Sequence, residues 1–269
     1  MKVSGLFIYP VKSCRGIPLN ELEITAQGPK YDRQWMLVDG DNNFITLRNE
    51  SQLSQIKTSV QGPFLHLYYG ANKTLIPIAD ECEVTESVTV WGTEVLAGVY
   101  DKSINEALSD FLGRTVKLVK YQANSRREIG KYATEAVKET RFADAHPVLL
   151  VNDASLVDLN EKLKLQGEKA SLIERFRPNI VISGAEAFAE DNVTEIRIGK
   201  LRFGNPKPCA RCPVITQDVE TGEVVSKATL KTLADYRRTT GGTKVNFGIN
   251  LTPIDLGSIR IGDEVNFIS

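Results

Sequence analysis

The sharpest chemical feature of the chain is Lys207-Pro208-Cys209-Ala210-Arg211-Cys212-Pro213, where two thiols sit beside two cations between prolines. The prolines predict a stiff loop, and Pro213-Val214-Ile215-Thr216 predicts a strand after it, not a helix. A thioredoxin-like dithiol needs its first thiol at a helix N-terminus, and a zinc ribbon needs a second ligand pair. Neither context is present: Cys14, Cys82, His66 and His146 are scattered without ligand spacing. What remains is a thiolate, with Lys207 and Arg211 supplying a positive potential that favours the deprotonated, metal-binding form of Cys212. Soft thiolates suit polarizable metal centres, and one Cys suffices where a cofactor brings further sulfur. An inert pair of loop cysteines is the plain alternative.

Two further segments offer anion chemistry. Tyr9-Pro10-Val11-Lys12-Ser13-Cys14 and Asp32-Arg33-Gln34-Trp35 bring an ammonium, a hydroxyl and a guanidinium to predicted strand ends, a set suited to a phosphate. In Phe176-Arg177-Pro178-Asn179, the proline fixes the approach to a strand and places Arg177 and Asn179 on one side. An Arg for anionic oxygen and an Asn for a heterocycle edge fit a nucleotide-like ligand. The alternatives are ordinary ones: solvated turn charges at Lys12 and Arg33, and a surface pair between Arg177 and Glu174. His66 reads as a strand residue, and His146, before Pro147, as a pocket-rim residue. No Gly-x-Ser-x-Gly elbow, Walker loop, dinucleotide fingerprint or His-Glu-x-x-His segment occurs.

The elements that must position these groups change character along the chain. Val3 to Val11, Leu22 to Ala26, Trp35 to Val38, Phe44 to Leu47 and Phe64 to Tyr69 read as short strands, with Asp39-Gly40-Asp41-Asn42-Asn43 as a hairpin. Strands this short and frequent favour a barrel. Ser103-Ile104-Asn105-Glu106 reads as a capping box opening a helix that stops at Gly113, followed by a strand over Thr115 to Tyr121. The charged stretch Asn124 to Arg141 predicts a solvated connector. Beyond it come a strand at Val148 to Val151, a helix capped by Asn152 or Asp153, and strands at Asn179 to Ser183 and Glu195 to Phe203. A hairpin at Glu220-Thr221-Gly222 between Val214–Thr216 and Val224–Val225, a helix ending in Arg237-Arg238, and strands at Val245 to Leu251 and Ile259 to Ile268 complete the pattern.

Composition removes whole classes. With 269 residues, 42% apolar and 25% charged, the chain is that of an ordinary globular protein and needs no disulfide scaffold. A net charge of -1 gives no general attraction to nucleic acid or an anionic membrane, so any anion site must be local. No apolar run approaches the roughly 18 residues of a spanning helix, and the N-terminus lacks a secretory segment. A soluble, cytoplasmic protein without nucleic-acid or membrane partners is expected.

Taken together, Tyr9-Pro-Val-Lys-Ser-Cys14, Asp32-Arg-Gln-Trp35, Phe176-Arg-Pro-Asn-Ile-Val-Ile182 and Pro208-Cys-Ala-Arg-Cys212 resemble, in this order, the MOSC proteins with an N-terminal MOSC β-barrel domain, the family of the amidoxime-reducing components. The resemblance runs over essentially the whole chain, including Asp153-Ala-Ser-Leu-Val-Asp-Leu-Asn160 and Ile261-Gly-Asp-Glu-Val265. It implies a mainly β fold with some α (α+β): an N-terminal barrel-like domain over 1–120 and a MOSC β-barrel domain over 121–269, with the connector at about 122–142. It also implies a molybdenum cofactor, a molybdopterin whose dithiolene holds the metal. Cys212 would be the protein ligand to molybdenum and the catalytic residue. Lys12, Ser13, Arg33, Arg177 and Asn179 would hold the pterin and its phosphate, with Cys209, Ala210 and His146 lining the site. The Ala145-His146 pair stands where the family can carry small hydroxyl residues. The implied chemistry is reduction of N-hydroxylated compounds, R-NH-OH to R-NH2. The chain stops at Ser269 without the Cys-x4-Cys-x2-Cys run of a plant-type cluster, so electrons are expected from a separate donor protein of ferredoxin or flavin reductase type. The alternatives are a sulfur-carrier protein holding a persulfide on Cys212 or Cys209, and a protein that binds an oxoanion or nucleotide without turnover.

Overall fold

The C-terminal half of the chain folds onto a single sheet that also recruits the N-terminus. In the computed structural model, which describes residues 1–79 and 82–268, eight strands pair in one sheet. Their order is Val265–Ile268, Glu195–Ile198, Leu201–Ala210, Asn246–Pro253, Val148–Asn152, Ile180–Ser183, Lys2–Ile8 and Ile17–Leu19. Neighbours are antiparallel except Val148–Asn152 against Ile180–Ser183, which are parallel. That pair needs a crossover, and the helix α2 (Asp153–Leu165) makes it. Asn152 ends the strand and starts the helix: its side chain accepts from the Ala154 N–H.

The central strands of this sheet are buried on both faces. Val148, Leu150, Ile249 and Leu251 point into one core with Leu6, Ile180 and Phe203. Leu149, Val151, Phe247 and Val245 point to the other side. There they pack against Leu159 and Leu163 of α2, Leu233 of α3 (Ala228–Arg237) and Phe176. A smaller sheet, Gly257–Arg260, Glu21–Thr25 and Gly28–Pro29, adds Leu22, Ile24 and Ile259 to the first core.

The remaining N-terminal residues form two antiparallel sheets. One has the order Trp35–Val38, Lys117–Lys120, Thr93–Val99 and Val84–Val90; the other is Lys57–Gln61, Phe64–Tyr69 and Asn72–Pro77. The helix α1 (Lys102–Leu112) closes them by burying Leu108 and Leu112 beside Trp35, Leu65 and Tyr69, and it stops where Gly113 turns left-handed. The fold is thus mainly β with three α-helices among the described residues, and none of these helices is long and apolar enough to cross a membrane. Sheet boundaries do not follow a division near residue 120: strands from the first 29 residues pair with strands from the C-terminal half.

Several local expectations are corrected. Ser103 lies inside α1 and no capping box forms; Asp101 precedes the helix without a side-chain cap. Asn105 is drawn instead to the loop and strand around it, donating to the Tyr100 carbonyl and accepting from the Leu118 N–H. Phe44 to Leu47 is not a strand: Phe44 makes one bridge to Val38, Ile45 and Thr46 are irregular, and a turn starts at Leu47. The connector is only partly solvated: Arg127 and Arg141 are buried, with their terminal nitrogens donating to backbone carbonyls, while Arg126, Glu128, Lys131 and Glu135 are exposed. Lys207 to Ala210 is not a loop but the end of the strand Leu201–Ala210, whose register shifts after Gly204 and Pro208 accommodate the prolines. Pro213–Thr216 is a short 3-10 turn, not a strand, since Pro213 supplies a fixed φ at its first position. Asp80, Glu81 and the terminal Ser269 lie outside the described residues.

Strand packing beneath the region of interest requires a glycine at 248. Its φ is +72°, and a Cβ there would stand 2.6 Å from the Leu150 carbonyl oxygen of the adjacent strand. Gly113 has a similar φ of +64° but open space around it. Gly248→Ala should therefore cost about 1–3 kcal/mol more than Gly113→Ala in urea unfolding, overpacking adding to the left-handed penalty both share.

Candidate functional site

Ser13, Arg33 and Arg177 share an unusual backbone. Their φ values are +69°, +44° and +53°, in the left-handed region that residues with a side chain seldom occupy. Tertiary contacts hold Arg33 and Arg177 there and a local turn closed by the Cys14 N–H on the Val11 carbonyl holds Ser13; such strain concentrates at sites with a task. Arg33 donates its own N–H to the Tyr9 carbonyl at 2.8 Å, and the Tyr9 N–H donates to Asp32 Oδ1 at 2.8 Å. The two guanidiniums then stack on the Tyr9 ring, Arg33 at 4.4 Å and Arg177 at 4.2 Å from its centroid. Arg33 Nη1 donates to Asp32 at 2.6 Å and to Asn179 Oδ1 at 3.2 Å, and its Nη2 donates to the Arg177 carbonyl at 3.2 Å. Arg177 Nη1 donates to the Cys14 carbonyl at 2.9 Å, while Arg177 Nη2 is buried without a partner. The surface pair of Arg177 with Glu174 is therefore not formed.

Ser13, Arg33, Arg177 and Asn179 line one cavity of about 460 Å³. Lys12, Ser13 and Arg33 enter from the N-terminal segments, and Arg177 and Asn179 from the approach to the strand Ile180–Ser183. Cys209, Ala210 and Cys212 enter from the end of the strand Leu201–Ala210 and the residues after it, and His146 from the entrance to Val148–Asn152. Lys12, Ser13, Arg33, His146, Arg177, Asn179, Cys209, Ala210 and Cys212 thus line one space, whereas Tyr9 and Cys14 of the same motifs line a neighbouring one. Cys212 is half-buried there. Arg211 lies beside it but donates Nη1 to Cys209 Sγ at 3.0 Å and Nη2 to the Phe176 carbonyl at 2.7 Å, so its hydrogen bond serves the other thiol.

Several groups are more committed than their types suggest. The Lys12 ammonium is buried, donates to the Phe142 carbonyl at 2.8 Å and forms a short ion pair with Asp144, which leaves one N–H free. Burial pulls the Lys12 pKa down and Asp144 opposes it. The Asp144 side chain is itself largely exposed, and Lys12 together with Trp91 Nε1, donating at 3.1 Å, holds its carboxyl well below the usual range. Asn179 has both amide atoms in use: Oδ1 accepts from Arg33 and from the Leu149 N–H, and Nδ2 donates to the Phe7 carbonyl. Cys14 is a packed core thiol whose pKa burial raises to about 12, and His66 sits in its strand beside the Tyr68 hydroxyl.

Sequence reasoning passed over Asp144, Arg48, Arg175 and Lys244, all of which line the cavity. Asp144 stands directly before the Ala145-His146 pair, but nothing in its type or spacing links it to Lys12. Arg127, buried beneath, donates to the Ala143 and Asp144 carbonyls and fixes this turn. Only the folded connector brings these groups together.

Residues 1–115 match the MOSC N-terminal beta barrel domain, and residues 137–266 match the MOSC domain. Across 98% of its length the chain is 32% identical to human mitochondrial amidoxime-reducing component 1, covering 82% of that protein. The chain belongs to the MOSC family with an N-terminal MOSC beta barrel domain. It is also 31% identical to the rat mitochondrial amidoxime reducing component 2, over 82% of that protein. A molybdenum cofactor sulfurase from Oryza sativa subsp. japonica is 30% identical over 94% of this chain, which spans 33% of that longer protein. The second kind of relative is named for the molybdenum cofactor.

The lining suits such a group. Among the described residues no cluster of three or more His, Cys, Asp or Glu side chains is gathered to hold a metal unaided. Four polar atoms buried without partners, on His146 (Nδ1), Arg175 (Nε), Arg177 (Nη2) and Arg211 (Nε), belong to residues lining the cavity. A heterocycle bearing a phosphate and its own sulfur ligands would answer both features.

Burial, then the Lys207 charge, pushes the pKa of His146 down to about 4. The unfolded chain, with a His pKa near 6.5, therefore binds more protons between these values, and stability falls as pH drops through this window. The loss attributable to His146 should be about 2–3 kcal/mol between pH 7 and pH 4. Urea unfolding across that range should show a shallower decline for His146→Ser than for the unsubstituted protein, with the two curves becoming parallel only about one pH unit or more below the folded pKa.

Proposed function

We propose that this protein binds a molybdenum cofactor in the cavity and reduces N-hydroxylated compounds. The observation that carries this reading is a half-buried thiol, Cys212, in a cavity to which eight Lys and Arg residues contribute, with no cluster of three or more His, Cys, Asp or Glu side chains among the described residues to hold a metal unaided. The similarity to amidoxime-reducing components supports it. The reaction is R-NH-OH + 2e⁻ + 2H⁺ → R-NH2 + H2O, with the electrons supplied by a separate donor protein of ferredoxin or flavin reductase type. When bound, the cofactor supplies the oxygen-accepting, two-electron chemistry.

The side chains divide the remaining tasks. Cys212 contributes the one protein thiolate to the metal. Ser13, the free N–H of Lys12 and the unpartnered Nη2 of Arg177 hold the pterin and its phosphate. Arg33 and Asn179 belong to the same wall, and through their mutual hydrogen bond they also fix the backbone that presents Arg177. Cys209 and Ala210 shape the floor, and the neutral His146 offers a ring nitrogen to the heterocycle.

Metal and pterin analysis tests the reading directly, on protein made in a host that synthesises the cofactor. Near-stoichiometric molybdenum and pterin are expected, with metal and amidoxime reduction both lost in Cys212→Ala. Full metal content and activity in that variant would overturn it. A mass increase of one sulfur atom on Cys212 or Cys209, without metal, would instead mark a sulfur carrier.

A further inference from the structure

The cavity holds more positive charge than the proposed cofactor uses. Eight of its lining residues are Lys or Arg, against a single carboxylate, Asp144, already paired with Lys12. The chain as a whole carries a net charge of -1, so the imbalance is local. A second cavity on the other side of Arg175 and Arg177 provides an internal comparison: Arg15, Arg175 and Arg177 are matched there by Glu174, Asp218 and Glu220. Of these two cavities, the one that contains Cys212 is lopsided.

Assigning Lys12, Arg33 and Arg177 to the cofactor, together with Arg175 and Arg211 whose orphaned Nε atoms it would answer, leaves Arg48, Lys207 and Lys244. Among the described residues none of these three forms a salt bridge. Arg48 lies over the Trp91 ring at 4.5 Å and Lys207 over the Tyr132 ring at 4.7 Å, contacts that orient a cation without cancelling it. Arg48 and Lys244 are exposed and stand on different walls of the same cavity, one on the turn after the Phe44 bridge, the other before the strand Asn246–Pro253. Unpaired like charges converging on a concave site repel one another unless a ligand neutralises them, and such clefts concentrate anions.

We propose that the substrate carries an oxyanion, a carboxylate or a phosphate, on the part of the molecule remote from its N–O group, and that Arg48 and Lys244 receive it. This rests on the reductase reading and names its substrate class. Cationic substrates of similar shape are disfavoured by the same field.

Matched pairs test this on the cofactor-loaded protein. One arm compares benzamidoxime with 4-carboxybenzamidoxime, the other N4-hydroxycytidine with its 5′-monophosphate. Binding of the non-reducible cytidine and cytidine 5′-monophosphate is followed calorimetrically in parallel. We expect kcat/KM and affinity to favour the anionic member by about tenfold or more at low salt, in at least one arm, which also tells carboxylate from phosphate. The preference should shrink as ionic strength rises toward about 1 M, where the Debye length is only about 3 Å, and in the Arg48→Ala/Lys244→Ala variant. Both positions are exposed, so that variant should fold. Reduction of both members with equal efficiency, or better reduction of the neutral one, would overturn the proposal and leave the reductase reading intact. Tighter binding of the monophosphate without reduction of any compound would overturn the reductase reading and leave the anion site standing. Equal binding with no reduction would overturn both.

Discussion

The stacking of two guanidiniums on one buried tyrosine ring is the contact on which the site depends. Tyr9 lies in the N-terminal segment just after the strand Lys2–Ile8, Arg33 follows Asp32 before Trp35, and Arg177 ends the 3-10 turn ahead of Ile180–Ser183. Two like charges would not share such a place unaided. The ring faces attract both, Asp32 compensates one, and backbone carbonyls at Cys14 and Arg177 accept from both. The same contacts hold Arg33 and Arg177 in left-handed backbone, and the adjoining turn places Ser13 likewise, so all three face the cavity.

Around this knot the sheet architecture does the long-range positioning. Pairing of Lys2–Ile8 with Ile180–Ser183 brings the Lys12-Ser13 turn beside Arg177. Pairing of Leu201–Ala210 with Asn246–Pro253, and of the latter with Val148–Asn152, lays Cys209, Asn250 and His146 along one floor. Two-sided burial of these central strands makes the floor rigid, with Gly248 allowing close approach to Leu150. Chemistry therefore sits on loops and strand ends carried by a stiff scaffold. Electrostatics adds a second layer: local cations dominate this cavity while its neighbour is balanced, in a chain of nearly neutral charge.

The residue types at the site were legible from the sequence because prolines and glycines constrain short segments strongly. Pro10, Pro178 and Pro208 mark strand ends, and the Lys, Ser, Arg, Asn and Cys beside them have few roles in a core. Gly113 ended α1 and Asn152 capped α2 where their local chemistry demands it. These signals act over a few residues and need no partner. The strand at Lys207 to Ala210 escaped notice because two prolines argue against pairing, and only its register shifts make pairing possible.

What the tertiary structure alone decided is which charges meet. Nothing local pairs Lys12 with Asp144 across more than a hundred residues, nor buries Arg127 and Arg141 in a stretch whose composition reads as solvated. Arg48, Arg175 and Lys244 are ordinary surface types until folding turns them toward one space. Sequence determined the elements and the reactive groups, since propensity and backbone restriction are local properties. Hydrogen-bond commitment, burial and net field are sums over neighbours distant in the chain, so only the fold could set them.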